Sequence, residues 1–219
     1  MHLLIQALIT ISSTLFWVFI DSIKIFSKPI NNSALIHAII STIGYTAVCI
    51  YQPLILTDYP VIYNNPRDIY IIVPLISCGY SFYDLYIGLK SKKVDNIIHG
   101  VIFSVSFVGV FYGNVMPISN LVLLCETSSV FLNLRPYKSK INDLLFVCTF
   151  FIYRLIITPA LAVIYVLNPN NTFRLFYACG SFSITLLNVY WFSLIYRKYI
   201  NTSRKEIPNK NAHNVEVLN

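Results

Sequence analysis

Apolar residues fall into seven long runs separated by short polar breaks, at about 3–20, 34–56, 69–89, 97–112, 115–134, 144–167 and 173–196. Each is close to the roughly 20 residues that a helix rising about 1.5 Å per residue needs to cross a hydrocarbon core. Strands of a closed barrel would alternate apolar and polar positions over about 10 residues, and these runs do not alternate. The pattern predicts an all-α, polytopic membrane protein of about seven transmembrane helices. The first run has no basic leader and no small-x-small cleavage site before Asp21 and Lys24, so it reads as a membrane helix and not as a cleaved signal.

Composition strengthens that picture. With 56% hydrophobic and 11% charged residues, the chain has too little polar surface to solvate a globule. The connections after runs one, three and five and the C-terminal tail hold thirteen of the sixteen Lys and Arg residues, among them Lys90, Lys92, Lys93, Arg135, Lys138, Lys140, Arg197 and Lys198. The opposite side has Arg67 and Arg174, and Arg154 lies inside run six. Basic loops face the cytoplasm, which predicts an N-terminus outside or in the lumen and a cytoplasmic C-terminus. Orientation and attraction to anionic headgroups account for the net charge of +7, so no nucleic-acid partner is expected.

Cys49, Cys78, Cys125, Cys148 and Cys179 all fall within predicted spans without CxxC spacing, and read as small core residues rather than disulfides or metal ligands. The sequon Asn170-Asn171-Thr172 lies in too short a loop to expect modification. Loops of at most about a dozen residues leave no room for an inserted soluble domain. Pro74 and Pro159 fall inside runs three and six, where each removes a backbone donor and should bend its helix; for Pro159 the carbonyl set free is near Leu155.

An ionisable side chain near the bilayer centre costs at least about 2.5–3.5 kcal/mol, so the few present mark a pair or a pathway. Glu126 precedes Arg135 by nine residues and Arg154 follows Leu144 by ten, which puts both about 13–15 Å deep on adjacent antiparallel helices. They are expected to pair, either as a structural lock between two helices or as part of a working site. Nearer the cytoplasmic end lie His37, Asp84, His99 and Asn133. The short connection between runs three and four sets Asp84 beside His99, where a carboxylate would orient the ring and raise its basicity, as a general base requires. The alternative is a satisfied polar network at the headgroup boundary. No glycine-rich phosphate loop, serine nucleophile motif or HExxH helix is found, and no cofactor is expected.

The order of these residues carries more than their types. Gly79-Tyr80-Ser81-Phe82-Tyr83-Asp84, then Ile97-Ile98-His99, then Glu126-Thr127-Ser128-Ser129-Val130-Phe131-Leu132-Asn133-Leu134-Arg135, then Phe151-Ile152-Tyr153-Arg154, resemble the TLC-domain family, and its small members more than its ceramide synthases. The resemblance divides the chain into a first helix and loop (1–32), a TLC domain (33–199) and a cytoplasmic polar tail (200–219). It implies a six-helix bundle around a lipid-accessible cavity, built from runs two to seven with run one as an extra helix. It also implies membrane lipids as partners and the endoplasmic reticulum or a related endomembrane as location. Catalytic roles implied by the resemblance would fall to His99 and Asp84. His37, Glu126, Asn133, Arg135 and Arg154 would line the cavity or hold its structure.

Ceramide synthases in the family use two consecutive histidines followed by paired aspartates in a later helix. Here Gly100 follows His99, and the aspartate-rich stretch is missing. The expected function is therefore lipid binding, lipid homeostasis or lipid trafficking. An acyltransferase acting through His99 is the alternative. A small seven-helix transporter or receptor is a third class, disfavoured by the short loops and by the lack of self-similarity between the first and last three runs.

Overall fold

The computed structural model describes residues 3–23, 25, 31–51, 68–112, 122–167 and 174–206. Residues 52–56 of run two and 115–121 of run five lie outside the described residues, as do Lys24, Lys28, Arg67, Lys210 and the Asn170-Asn171-Thr172 sequon. The helices are α1 (Leu3–Ser22), α2 (Asn32–Tyr51), α3 (Asp68–Ser91), α4 (Val94–Tyr112) and α5 (Glu126–Leu134), the last extended by 3₁₀ turns at Leu123–Cys125 and Arg135–Tyr137. A continuous rod then runs through α6 (Lys140–Thr149), a π-helical stretch (Phe150–Ile157) and α7 (Thr158–Leu167), and α8 (Arg174–Glu206) closes the fold. No strand occurs among the described residues. The chain is an all-α polytopic membrane protein, and among the described residues four stretches are long and apolar enough to cross a bilayer: Leu4–Ser22, Ile71–Ser91, Lys140–Val163 and Ala178–Lys198.

Short turns dictate the neighbours. Between α3 and α4 the chain has only Lys92, in the left-handed region at φ 55°, and Lys93, whose amide bonds Gly88 O at 3.2 Å. Two residues cannot carry the chain across the bundle, so the pair is an antiparallel hairpin. Between α5 and α6, Lys138 is also left-handed at φ 55°, and Ser139 caps the next helix by accepting from the Asn142 amide. Asn142 Nδ2 then donates back to Phe131 O at 2.9 Å, fastening α6 to α5.

Six elements close into a ring: α2 packs on α3, α3 on α4, α4 on α8, α8 on the π–α7 rod, the rod on α5, and α5 on α2. α1 packs outside the ring against α3 and α2. The outward face of α1 carries Leu4, Leu8, Ile11 and Leu15, and that of α8 carries Phe182, Leu186 and Val189, all exposed at helical spacing. Inside are Ser33, His37, Ser41, Ser77, Arg154 and Asn188, all buried. Apolar residues outside and polar residues inside invert the order of a soluble globule, and lipid is the solvent in which that order is stable.

The cysteines divide by this inversion. Cys78 and Cys125 are buried in the core as expected, whereas Cys148 and Cys179 are exposed on outward helix faces, where a thiol beside lipid is as apolar as one in a core. The Cys49 side chain lies outside the described residues. α8 also continues past the end of the last apolar run, so residues 200–206 of the polar tail are helical.

Candidate functional site

Each of the six ring elements contributes polar side chains to the interior, and these form two centres. The first is built by the α3–α4 hairpin. His99 Nδ1 donates to Asp84 Oδ2 at 2.8 Å, with the two side chains 19% and 18% exposed. The close approach of the helices rests on Gly100: a Cβ there would lie 2.7 Å from Leu85 Cα and 2.8 Å from Leu85 N. The position next to His99 therefore has no room for a second histidine without separating α3 from α4. The His99 ring packs against Phe103 at 4.5 Å and Trp191 of α8 at 5.6 Å between centroids.

The second centre lies deeper. His37 of α2 is stacked on Tyr80 of α3 (3.8 Å, 4° between planes) and meets the edge of Trp17 of α1 at 5.6 Å. Its Nε2 lies 3.1 Å from both Ser41 Oγ and Ser77 Oγ, and those two hydroxyls are 3.2 Å apart. Its Nδ1 is buried without a hydrogen-bond partner among the described residues, 3.9 Å from Glu126 Oε2. On the other side of the same carboxylate, Oε1 lies 4.0 Å from Arg154 Nη2.

Arg154 is held by neutral groups. Its Nε donates to Ser128 Oγ at 2.7 Å, Nη2 to Ser129 Oγ at 2.8 Å and Nη1 to Asn188 Oδ1 at 3.3 Å. Ser128 in turn donates to Cys125 O at 2.7 Å, which leaves its lone pairs facing the guanidinium. The guanidinium also lies over the rings of Phe150 and Trp191, at 5.4 and 5.9 Å. Trp191 thus touches both centres.

The backbone under Arg154 follows from Pro159. In an α-helical register the missing amide would strand Leu155 O, as the sequence suggests. The Phe150–Ile157 stretch is instead π-helical, with the Thr158 amide and hydroxyl both reaching Tyr153 O. One residue of register shift makes the stranded carbonyl that of Arg154, and Asn188 Nδ2 bonds it at 3.4 Å. Asn188, fully buried, therefore clips both the side chain and the backbone of Arg154.

The sequence-derived residues separate accordingly. Asp84 and His99 meet, and His37, Glu126 and Arg154 share one buried centre. Glu126 Oε1 and Arg154 Nη2 form the expected ion pair at 4.0 Å, a charge contact longer than a direct hydrogen bond. Asn133 bonds its own helix at Ser129 O, and Arg135 pairs with Asp143 at 2.9 Å at the exposed α5–α6 turn; neither reaches the centres. Trp17, Tyr80, Ser41, Ser77, Ser128, Ser129, Asn188 and Trp191 were not anticipated. Polar spacing of three or four within apolar runs (37/41, 77/80/84, 188/191) is the signal that marks most of them.

An apolar cluster of Val73, Cys78, Phe103, Phe107, Leu123 and Ile184 packs beside these centres, with Phe103 against His99. The Asp84–His99 pair thus lies toward the basic turns, and the His37–Glu126–Arg154 centre is the more buried of the two.

Comparison with known proteins agrees with the residue order. The family model of the TLC domain matches residues 32–197, most of the chain, and the protein belongs to that family. It is accordingly an integral membrane protein of a family linked to lipid-related functions. No curated protein and no solved structure matches it.

Proposed function

We propose that this TLC-domain protein binds a membrane lipid, taking its polar end into the bundle at the Asp84–His99 pair, and acts in lipid homeostasis or trafficking in the endoplasmic reticulum or a related endomembrane. The observation that carries this reading is the pair itself. A hydrogen-bonded carboxylate and imidazole, each about one-fifth exposed, stand at the basic end of an otherwise apolar-faced bundle and open onto a polar interior. A pair of that kind offers a charge-assisted acceptor and a ring nitrogen to a lipid headgroup at the depth where headgroups meet hydrocarbon. Lysines 90, 92 and 93 beside it favour anionic or zwitterionic surfaces.

The test is the set of lipids that co-purify in mild detergent. Wild-type protein should carry a defined lipid species, and Asp84→Asn with His99→Ala should lose it while eluting as folded protein. An unchanged lipid profile would count against the pair as the binding site.

One observation favours a second reading. His99 Nδ1 on a carboxylate leaves Nε2 as a free, oriented base, the arrangement an acyltransferase uses. Against it stands Gly100, whose tight packing on Leu85 denies the neighbouring position to a second histidine. Labelled acyl-CoA incubated with purified protein and lipid acceptors separates the two readings, and transfer above a heat-killed background would establish the enzyme.

A further inference from the structure

The buried centre has an unpaired polar atom that hydrocarbon would not satisfy. His37 is 3% exposed, yet its Nδ1 has no hydrogen-bond partner among the described residues. A buried polar atom left unpaired costs about 1–3 kcal/mol, and each such atom calls for an explanation. The ring cannot turn to repair it. Tyr80 stacks on one face, Trp17 closes an edge, and Nε2 is anchored by Ser41 and Ser77.

The proton can be assigned from these neighbours. A lone pair on Nδ1 would face the Glu126 carboxylate, which is repulsive, so Nδ1 carries the hydrogen and Nε2 accepts from a serine hydroxyl. Nδ1 then lies 3.9 Å from Glu126 Oε2, too far for a direct hydrogen bond. Arg154 does not close on the carboxylate either, because Ser128, Ser129 and Asn188 hold it 4.0 Å away. Glu126, with Ser129 as a hydrogen-bonding neighbour, thus lies between a donor and a cation that are both fixed. Its side chain is 10% exposed.

We infer that the His37–Glu126 gap is a recognition site for a single uncharged hydroxyl, and that the lipid this protein selects carries a free alcohol. An oxygen about 2.8 Å from each group spans such a gap, accepting from Nδ1–H and donating to the carboxylate. A hydroxyl is the one-atom group that does both. An ether or ester oxygen can accept but has no hydrogen for Glu126. An ammonium or phosphate would add net charge to a centre where one carboxylate and one guanidinium already balance, at a depth where charge is expensive. The site rests on the lipid-binding reading above and adds to it a chemical class of ligand.

The test compares dioleoylglycerol with its 3-O-methyl ether, two lipids that differ at the hydroxyl, by native mass spectrometry of the full chain in detergent. Wild type should bind the alcohol roughly ten- to hundredfold more tightly, the worth of one hydrogen bond to a charged group. His37→Phe keeps the stack on Tyr80 and leaves Ser41 and Ser77 bonded to each other, and it should bind the two lipids alike. Glu126→Gln, which leaves Arg154 its three neutral partners, should narrow the preference too, and it serves if His37→Phe fails to fold. Equal binding of alcohol and ether by wild type would mean that only water fills the gap and would overturn the inference while leaving lipid binding intact. Binding of neither would overturn both readings. A preference that survives in the folded variants would place the alcohol elsewhere.

Discussion

The two polar centres differ in how they are made. Asp84 and His99 lie fifteen residues apart on one hairpin, joined through a two-residue turn and a glycine contact, and their side chains are partly exposed. The deeper centre draws on α2, α3, α5, the π stretch and α8, across separations of 25 to 40 residues, and is almost fully buried. The hairpin pair is available for binding because little else depends on it. The buried centre combines anchoring with a gap: three hydrogen bonds hold Arg154, whereas Glu126 and His37 Nδ1 lie 3.9 Å apart without a direct hydrogen bond between them. On the proposed reading, stability and recognition fall to different atoms of neighbouring residues.

Substitution of Arg154 probes that division most strongly. Arg154→Gln removes the hydrogen bonds to Ser128, Ser129 and Asn188 and leaves the Glu126 carboxylate buried, a loss on the order of 3–5 kcal/mol. Glu126→Gln should be milder, because the guanidinium keeps its three neutral partners. Combining the two should recover part of the Arg154→Gln loss, since no orphan carboxylate remains. Thermal unfolding in detergent gives the ordering; single variants of equal severity with a strictly additive double would show that the two charges act independently.

A smaller effect is expected at the base of the hairpin pair. Gly100→Ala forces a Cβ to within 2.7 Å of the Leu85 backbone, which cannot yield as a side chain end would. Separation of α3 from α4 should cost about 1–3 kcal/mol and lengthen the Asp84–His99 contact. Gly180→Ala is the control, because its Cβ would meet only Ser106 Oγ at 3.1 Å. Equal unfolding midpoints for the two variants would show that the hairpin tolerates a side chain at Gly100.

The smallest expected change is in the stability of Asp84→Asn and His99→Ala. A partly exposed pair contributes about 0–1 kcal/mol, so both variants should unfold close to wild type even where lipid is lost. A drop of several kcal/mol, on the order seen for buried pairs, would make the hairpin pair a lock like the deeper centre and erase the contrast.

The sequence by itself determined the class and the membership of the pair near the basic end. Apolar runs of membrane-crossing length leave no alternative to helices in lipid, and a two-residue turn sets Asp84 against His99 with no knowledge of the rest of the fold. It also brought Glu126 and Arg154 to one depth, since depth follows from counting residues along a helix. Counting does not give rotation about the helix axis or the identity of lateral neighbours. Only the closed ring decided that Asn188, 34 residues from Arg154, would take both its side chain and its carbonyl, and that Trp17 and Tyr80 would fix His37 with one nitrogen unbonded. The π register, too, arises where Pro159, Thr158 and Asn188 meet, a junction of two helices. Hydrophobic pattern is a property of each segment alone, whereas the partners of a buried polar atom belong to the packing of several segments at once.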